Sequence, residues 1–203
     1  IKSSAASDVY KRQRLKRAYA KVTVNYTAGT GVSITALRVE NIPTRIYPFP
    51  ATGNSPTDAF MNVDLIVNAG QTTYSFFMPE NLRGNGTSTT AKEKNQPDNG
   101  PTQSGSARNL DYCTCIVLTG TYNYYPNNTP ENAANPISVE YRFYPGADMI
   151  RNYDIERGKH YTLTLDLKGA NSADARVTIT DGNVFTIADP DDVTHKDDIV
   201  FGE

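Results

Sequence analysis

Apolar residues recur at every second position through much of this chain. No stretch sustains the 3.6-residue spacing of a helix over three turns. Ala20, Val22, Val24 and Tyr26 alternate with Lys21, Thr23 and Asn25. Tyr74, Phe76 and Met78 fall on one face, and Val139, Tyr141 and Phe143 lie opposite Glu140 and Arg142. The clearest case is Tyr161, Leu163, Leu165 and Leu167, set against Thr162, Thr164, Asp166 and Lys168. Strand side chains point alternately to the two faces of a sheet, so this pattern buries one face and wets the other. Two such sheets packed face to face are the expected solution, an all-β sandwich.

The same pattern predicts further elements. Val32, Ile34 and Ala36 alternate, then the phase shifts to Leu37 and Val39, which predicts a bulge at Ala36–Leu37. Strands are expected over 60–67, 72–78, 110–122, 137–144 and 160–167. Shorter ones over 175–180 and 183–187 flank Asp181-Gly182, a strong hairpin signal. Residues 147–158 are expected to be irregular or to form one helical turn. Pro43, Pro48, Pro50 and Pro56 cannot donate to a ladder and mark the best candidate boundary. Residues 81–109 are almost wholly polar, and we expect a long, mobile surface loop there. A second polar loop is expected over 126–136.

With 203 residues the chain is long enough for one sandwich domain, or one and a piece. The formal net charge of -2 supplies no global basic field for nucleic acid. The one basic run is Lys11, Arg12, Arg14, Lys16 and Arg17. Residues 1–13 resemble translated adapter sequence and are expected to be non-native. No apolar run reaches the roughly 20 residues that span a bilayer as a helix.

Motifs for catalysis are missing: no G-x-S-x-G, no H-E-x-x-H and no phosphate-binding glycine loop. Cys113 and Cys115 are too close along a strand for an unstrained disulfide, which predicts two free, buried thiols. His160 opens a strand and His195 lies in an acidic tail, far from the cysteines, so zinc is not expected. Asp148, Asp154 and Glu156 read as turn-capping or solvent-facing groups. Asp189, Asp191, Asp192, Asp197 and Asp198 do not have the spacing of an EF-hand loop. No cofactor and no metal are expected, and the chain does not read as an enzyme. Two surfaces are candidates for binding. Tyr122, Tyr124 and Tyr125, beside Asn123, Asn127 and Asn128, could form a sugar-stacking platform. Ile199, Val200 and Phe201 end the chain as an apolar triplet after an acidic spacer, either a closing edge strand or a strand meant for another subunit.

Tyr74-Ser-Phe-Phe-Met-Pro-Glu-Asn-Leu-Arg-Gly, ending at Gly84, resembles the F-Y-M-P-E-N-L-x-G signature of the fimbrillin-like (Mfa-like) fimbrial subunits of Bacteroidia. Val139-Glu-Tyr-Arg-Phe-Tyr-Pro-Gly is similar to their V-x-Y-x-F-Y-L-G strand, with Pro145 in place of the usual Leu. Residues 152–165 resemble their D-Y-N-V-x-R-N-x-x-Y-x-V-T-I stretch, with Gly158 in place of Asn, and Ala18–Val24 resembles the R-x-x-A-K-V strand. The resemblance implies an antiparallel transthyretin-like (Ig-like Greek-key) β-sandwich with a long polar loop. It also implies a lipoprotein exported to the outer-membrane surface, assembling with other fimbrial subunits by β-strand addition. On that basis residues 14–55 are trailing strands of a truncated first domain or leading strands of the sandwich. Residues 56–190 are the sandwich, and 191–203 an acidic tail. A host or bacterial surface glycan or protein is the other expected partner, which makes a surface glycan-binding module the alternative reading.

Overall fold

In the computed structural model, residues 17–48, 55–102, 107–123, 136–170, 176–179 and 200–201 are described. They form two sheets and, apart from two short 3-10 turns at Glu93–Asn95 and Pro97–Asn99, no helix. The strands are β1 (Tyr19–Ala28), β2 (Val32–Pro43), β3 (Phe60–Leu65), β4 (Thr73–Pro79), β5 (Cys115–Tyr122), β6 (Ile137–Phe143), β7 (His160–Leu167), β8 (Val177–Ile179) and β9 (Val200–Phe201). One sheet runs β4-β1-β7-β9 and the other β3-β2-β5-β6-β8. The fold is a β-sandwich, as the alternation predicts.

The alternating residues meet between the sheets. Ala20, Val22 and Val24 of β1, Leu163 and Leu165 of β7, Val39 of β2, Leu118 of β5 and Val139 of β6 are all fully buried in one core. The ladders are antiparallel with one exception: β1 and β7 run parallel, Val22 beside Tyr161 and Val24 beside Leu163. The sheets are otherwise antiparallel, as expected. Alternation reads the same for either strand direction, so the sequence pattern carries no sign of the parallel pair. β2 bulges twice, between Ile34 and Ala36 against β5 and between Val39 and Ile42 against β3. The first lies beside the predicted phase shift; at the second, Asn41 adopts φ 58°.

Two expectations change. Residues 110–122 are not one strand: Leu110–Cys113 is a turn closed by Cys113 N–H donating to the Leu110 carbonyl at 3.2 Å, and β5 starts at Cys115. The polar stretch 81–109 is not simply a surface loop, because Asn81, Arg83, Ser88 and Lys94 are buried in it. Lys94 lies over the Tyr153 ring, 4.9 Å from its centroid, and the Tyr153 hydroxyl donates to the Lys94 carbonyl at 2.7 Å. Beneath this layer Cys113, Cys115, Val117, Tyr144 and Tyr153 form a second apolar cluster on the outer face of β5. Four consecutive residues, Cys115–Leu118, are therefore buried on both faces. The cysteines are free and buried, as predicted, and burial pushes both thiols up to about 12.

β1 lies between β4 and β7, and β2 between β3 and β5, so residues 19–43 share both sheets with the later strands. The predicted strand 183–187, the Asp181-Gly182 turn, residues 1–13, His195 and the acidic tail through Ile199 lie outside the described residues.

Candidate functional site

Residues from two of the quoted motifs, 74–84 and 152–165, come together as a buried clamp. The strand Thr73–Pro79 ends at a proline, which cannot extend the ladder, and Glu80 to Gly84 then turn inward. Glu80 Oε1 accepts from the Arg157 guanidinium at 3.2 Å, with both side chains almost wholly buried. The backbones of Asn81 and Ile155 exchange two hydrogen bonds at 2.8 Å. The Asn81 amide nitrogen donates to the Tyr112 carbonyl and to Thr114 Oγ1, each at 2.9 Å. Its oxygen accepts from Arg83 Nε at 2.9 Å. Arg83, 1% exposed, continues to the carbonyls of Ser55 and Pro56. Asp154 Oδ1 accepts the backbone N–H groups of Arg83 at 2.7 Å and Gly84 at 2.6 Å. Gly84, at φ 78°, takes a left-handed conformation that glycine adopts without strain.

These groups satisfy backbone polar atoms and one another. They tie two distant segments together, and none presents a nucleophile to solvent. Among the described residues, no group of three or more His, Cys, Asp and Glu side chains could hold a metal ion. The clamp is a scaffold for what lies beside it.

Beside it is an apolar groove. β3 is the end strand of one sheet and β4 the end strand of the other, so two edges lie on the same side of the sandwich. The cavity there measures about 410 Å³. Met61, Val63 and Leu65 of β3 and Val39 and Ile42 of β2 line one side, and Phe76 of β4 the other. Tyr19, Pro43, Thr44, Ile46, Phe77 and Pro79 complete it. Met61 is 47% exposed, so the core is left open at this side, and Phe77, 64% exposed, stands at the rim on the outer face of β4. Among the described residues, β3 pairs only with β2, and β4 only with β1. The groove thus combines apolar side chains with two unpaired strand edges.

The chain ahead of the groove is held by the clamp. Arg157 donates to the carbonyls of Tyr47 at 2.9 Å and Pro48 at 3.4 Å, just past Ile46. Glu80, its ion-pair partner, directly follows Pro79, another lining residue.

The predicted site residues fall elsewhere. Tyr122 ends β5, half-buried against the main core. Its ring lies so close over Gly169 that a Cβ there would meet it at 3.0 Å. Tyr124, Tyr125 and Ile199 lie outside the described residues. Val200 and Phe201 pair with Thr164 and Leu163 on β7, at the far edge of the sheet from β4. The groove residues were not singled out from sequence. The signal that could have found them is the excess of large apolar side chains, Met61, Phe76 and Phe77, on two neighbouring strands.

Residues 76–165, from within β4 almost to the end of β7, match the protein family described as domain of unknown function (DUF4906). That span contains most of the clamp. No curated protein matches the chain significantly. Among solved structures, the chain is similar to the tip fimbrial protein Mfa3 from Porphyromonas gingivalis, with C-terminal truncation. The identity is 14% and the TM-score 0.46, over 81% of this chain and 50% of that one. It is also similar to a candidate cell adhesion protein from Parabacteroides distasonis, at 15% identity and TM-score 0.44, over 76% and 44%. This chain resembles the fimbrillin-like proteins. It spans about half the length of the two solved structures. Two of the fimbrillin-like motifs quoted from its sequence, 74–84 and 152–165, supply the paired residues of the clamp.

Proposed function

We propose that this chain is part of a cell-surface fimbrial subunit or adhesin that assembles by β-strand addition and carries out no catalysis. The observation behind this reading is the groove between β3 and β4. A protein ordinarily shields apolar strand edges with charge, proline or a covering segment, because open ones recruit other strands. Here the two edges flank exposed Met61 and Phe77. A strand laid between them would gain main-chain hydrogen bonds and place alternate side chains beside Met61, Val63 and Phe76. Ile199, Val200 and Phe201 are the candidate donor, exchanged from β7 of one subunit into the groove of the next. Other fimbrial subunits are then the partners, and the outer face of the outer membrane, through a lipid anchor, is the location.

The test is the full chain on an unheated denaturing gel, beside Met61→Lys and a variant lacking 199–203. A ladder of stable oligomers that Met61→Lys abolishes supports the groove as acceptor. Loss of the ladder on truncation supports the triplet as donor. A single monomer band from the unaltered chain refutes assembly by this route.

A further inference from the structure

The opposite face of β3 carries a second surface, independent of strand addition. Phe60 and Asn62 alternate with Met61 and Val63, so they point away from the groove. The Phe60 ring stacks on Tyr112, with centroids 5.4 Å apart and planes 30° from parallel. The Arg83 guanidinium lies against Phe60 at 5.8 Å, buried within the clamp. Tyr112 is 36% exposed. Asn62 is also exposed, and its Oδ1 accepts the Asn41 N–H at 3.1 Å, while Asn41 donates from its amide to the Cys113 carbonyl at 2.9 Å. Asn62 and the Tyr112 turn therefore converge on Asn41. Asn109 precedes that turn and Asp111 is its second residue, the two joined by the Asp111 N–H donating to Asn109 Oδ1 at 3.0 Å.

The backbone at Tyr112 is the unusual part. It sits at φ 62°, at the third position of the Leu110–Cys113 turn. Glycine or asparagine occupies such a position at little cost, and an aromatic residue is strained there. The strain is held by the fold: the Tyr112 carbonyl is fixed by Asn81, and the turn is closed at Cys113. The result is a half-exposed ring stacked on a second ring whose position is set by a buried cation.

We propose that Tyr112, stacked on Phe60 and flanked by Asn62, Asn109 and Asp111, forms a binding site for a carbohydrate. A sugar ring offers an apolar C–H face for an aromatic platform and hydroxyl groups for neighbouring amides and carboxylates. The mixture of ring faces with short polar side chains suits that ligand better than an apolar peptide, which brings no hydroxyl groups to the neighbouring amides.

The experiment is binding of the full chain to an array of immobilised oligosaccharides, followed by titration of the strongest oligosaccharide against the unaltered chain, Tyr112→Gly and Tyr112→Phe. Glycine is at ease at this φ, so Tyr112→Gly is expected to fold at least as stably as the parent. We expect it to weaken binding by about tenfold or more, and Tyr112→Phe to retain affinity within roughly threefold, since the ring face survives. Absence of binding to every oligosaccharide on the array overturns the proposal. So does binding that Tyr112→Gly leaves unchanged, which would assign the sugar to another surface.

Discussion

Lys94 is the residue whose replacement tests the buried polar layer most sharply. Its ammonium donates to the Asp148 carbonyl at 2.7 Å and lies over Tyr153, and burial lowers its pKa from 10.5 to about 7, only partly opposed by Asp148. The folded state thus disfavours the charged form. Between about pH 7 and 10.5 the unfolded chain holds a proton that the folded chain has released, so stability rises with pH in that window. The slope is about 1.4 kcal/mol per pH unit, and the full penalty, felt below pH 7, is on the order of 5 kcal/mol. Above the ordinary thiol value of 9.0 the sign reverses. Cys113 and Cys115, held at about 12, keep protons that the unfolded chain loses. Their joint slope is about 2.7 kcal/mol per pH unit in the opposite direction, which outweighs Lys94. Stability should therefore crest near pH 9. Urea midpoints across this range measure it. Lys94→Met keeps the volume and removes the charge, at the loss of one hydrogen bond and one cation–π contact worth about 1 kcal/mol each. It should flatten the rising limb and raise stability at pH 6 by roughly 3 kcal/mol. A rising limb of equal slope in Lys94→Met, or no rise in the parent between pH 7 and pH 9, would refute the placement of this amine in a dry site.

Two further predictions concern the scaffold. Glu80→Ala leaves the buried Arg157 guanidinium without its carboxylate, and among the described residues Arg157 Nε has no hydrogen-bond partner. We expect a loss of about 3–5 kcal/mol in denaturant unfolding, and a much smaller loss for Glu80→Gln, which retains an acceptor. Gly120→Ala places a Cβ 2.0 Å from the Ser33 carbonyl oxygen across the β2–β5 ladder. It should lower the thermal midpoint by the equivalent of about 1–3 kcal/mol, and an unchanged midpoint would mean that the bulge beside it is absent.

The strands were legible because burial of one face imposes a two-residue period that no other element shares. β7 falls on the predicted residues, and the bulge in β2 lies beside the expected break in phase. What the pattern could not carry is whatever depends on strand order. The parallel pairing of β1 with β7, and the arrival of β3 and β4 on one side, are facts of topology, so the groove was invisible even though its residues were not. The polar layer was hidden for another reason. Hydrophobicity identifies buried side chains by their dislike of water, whereas Arg83, Lys94 and Asn81 are buried through hydrogen bonds to main-chain groups. The turn at Leu110–Cys113 escaped because Tyr112 stands where the usual signal would be a glycine.

The clamp and the groove are physically linked, which gives the fimbrillin-like motif a reason to take the form it does. Glu80 follows the last groove residue of β4, and its partner Arg157 holds Tyr47 and Pro48, next to the groove residue Ile46. One buried ion pair therefore ties together the two segments that meet at one end of the opening. On the proposed assembly by strand addition, the groove cannot rely on the incoming strand for its shape. Its walls need anchors that do not depend on apolar contact across the gap, and directional bonds to backbone carbonyls meet that need. Arg157→Met, similar in length and apolar, tests the link. The core should survive, because Arg157 is not one of the side chains that form it, but oligomer formation on the unheated gel should fall several-fold as the 43–48 segment loses its hold. Undiminished oligomers with a normal thermal midpoint would mean that the groove keeps its shape without the clamp.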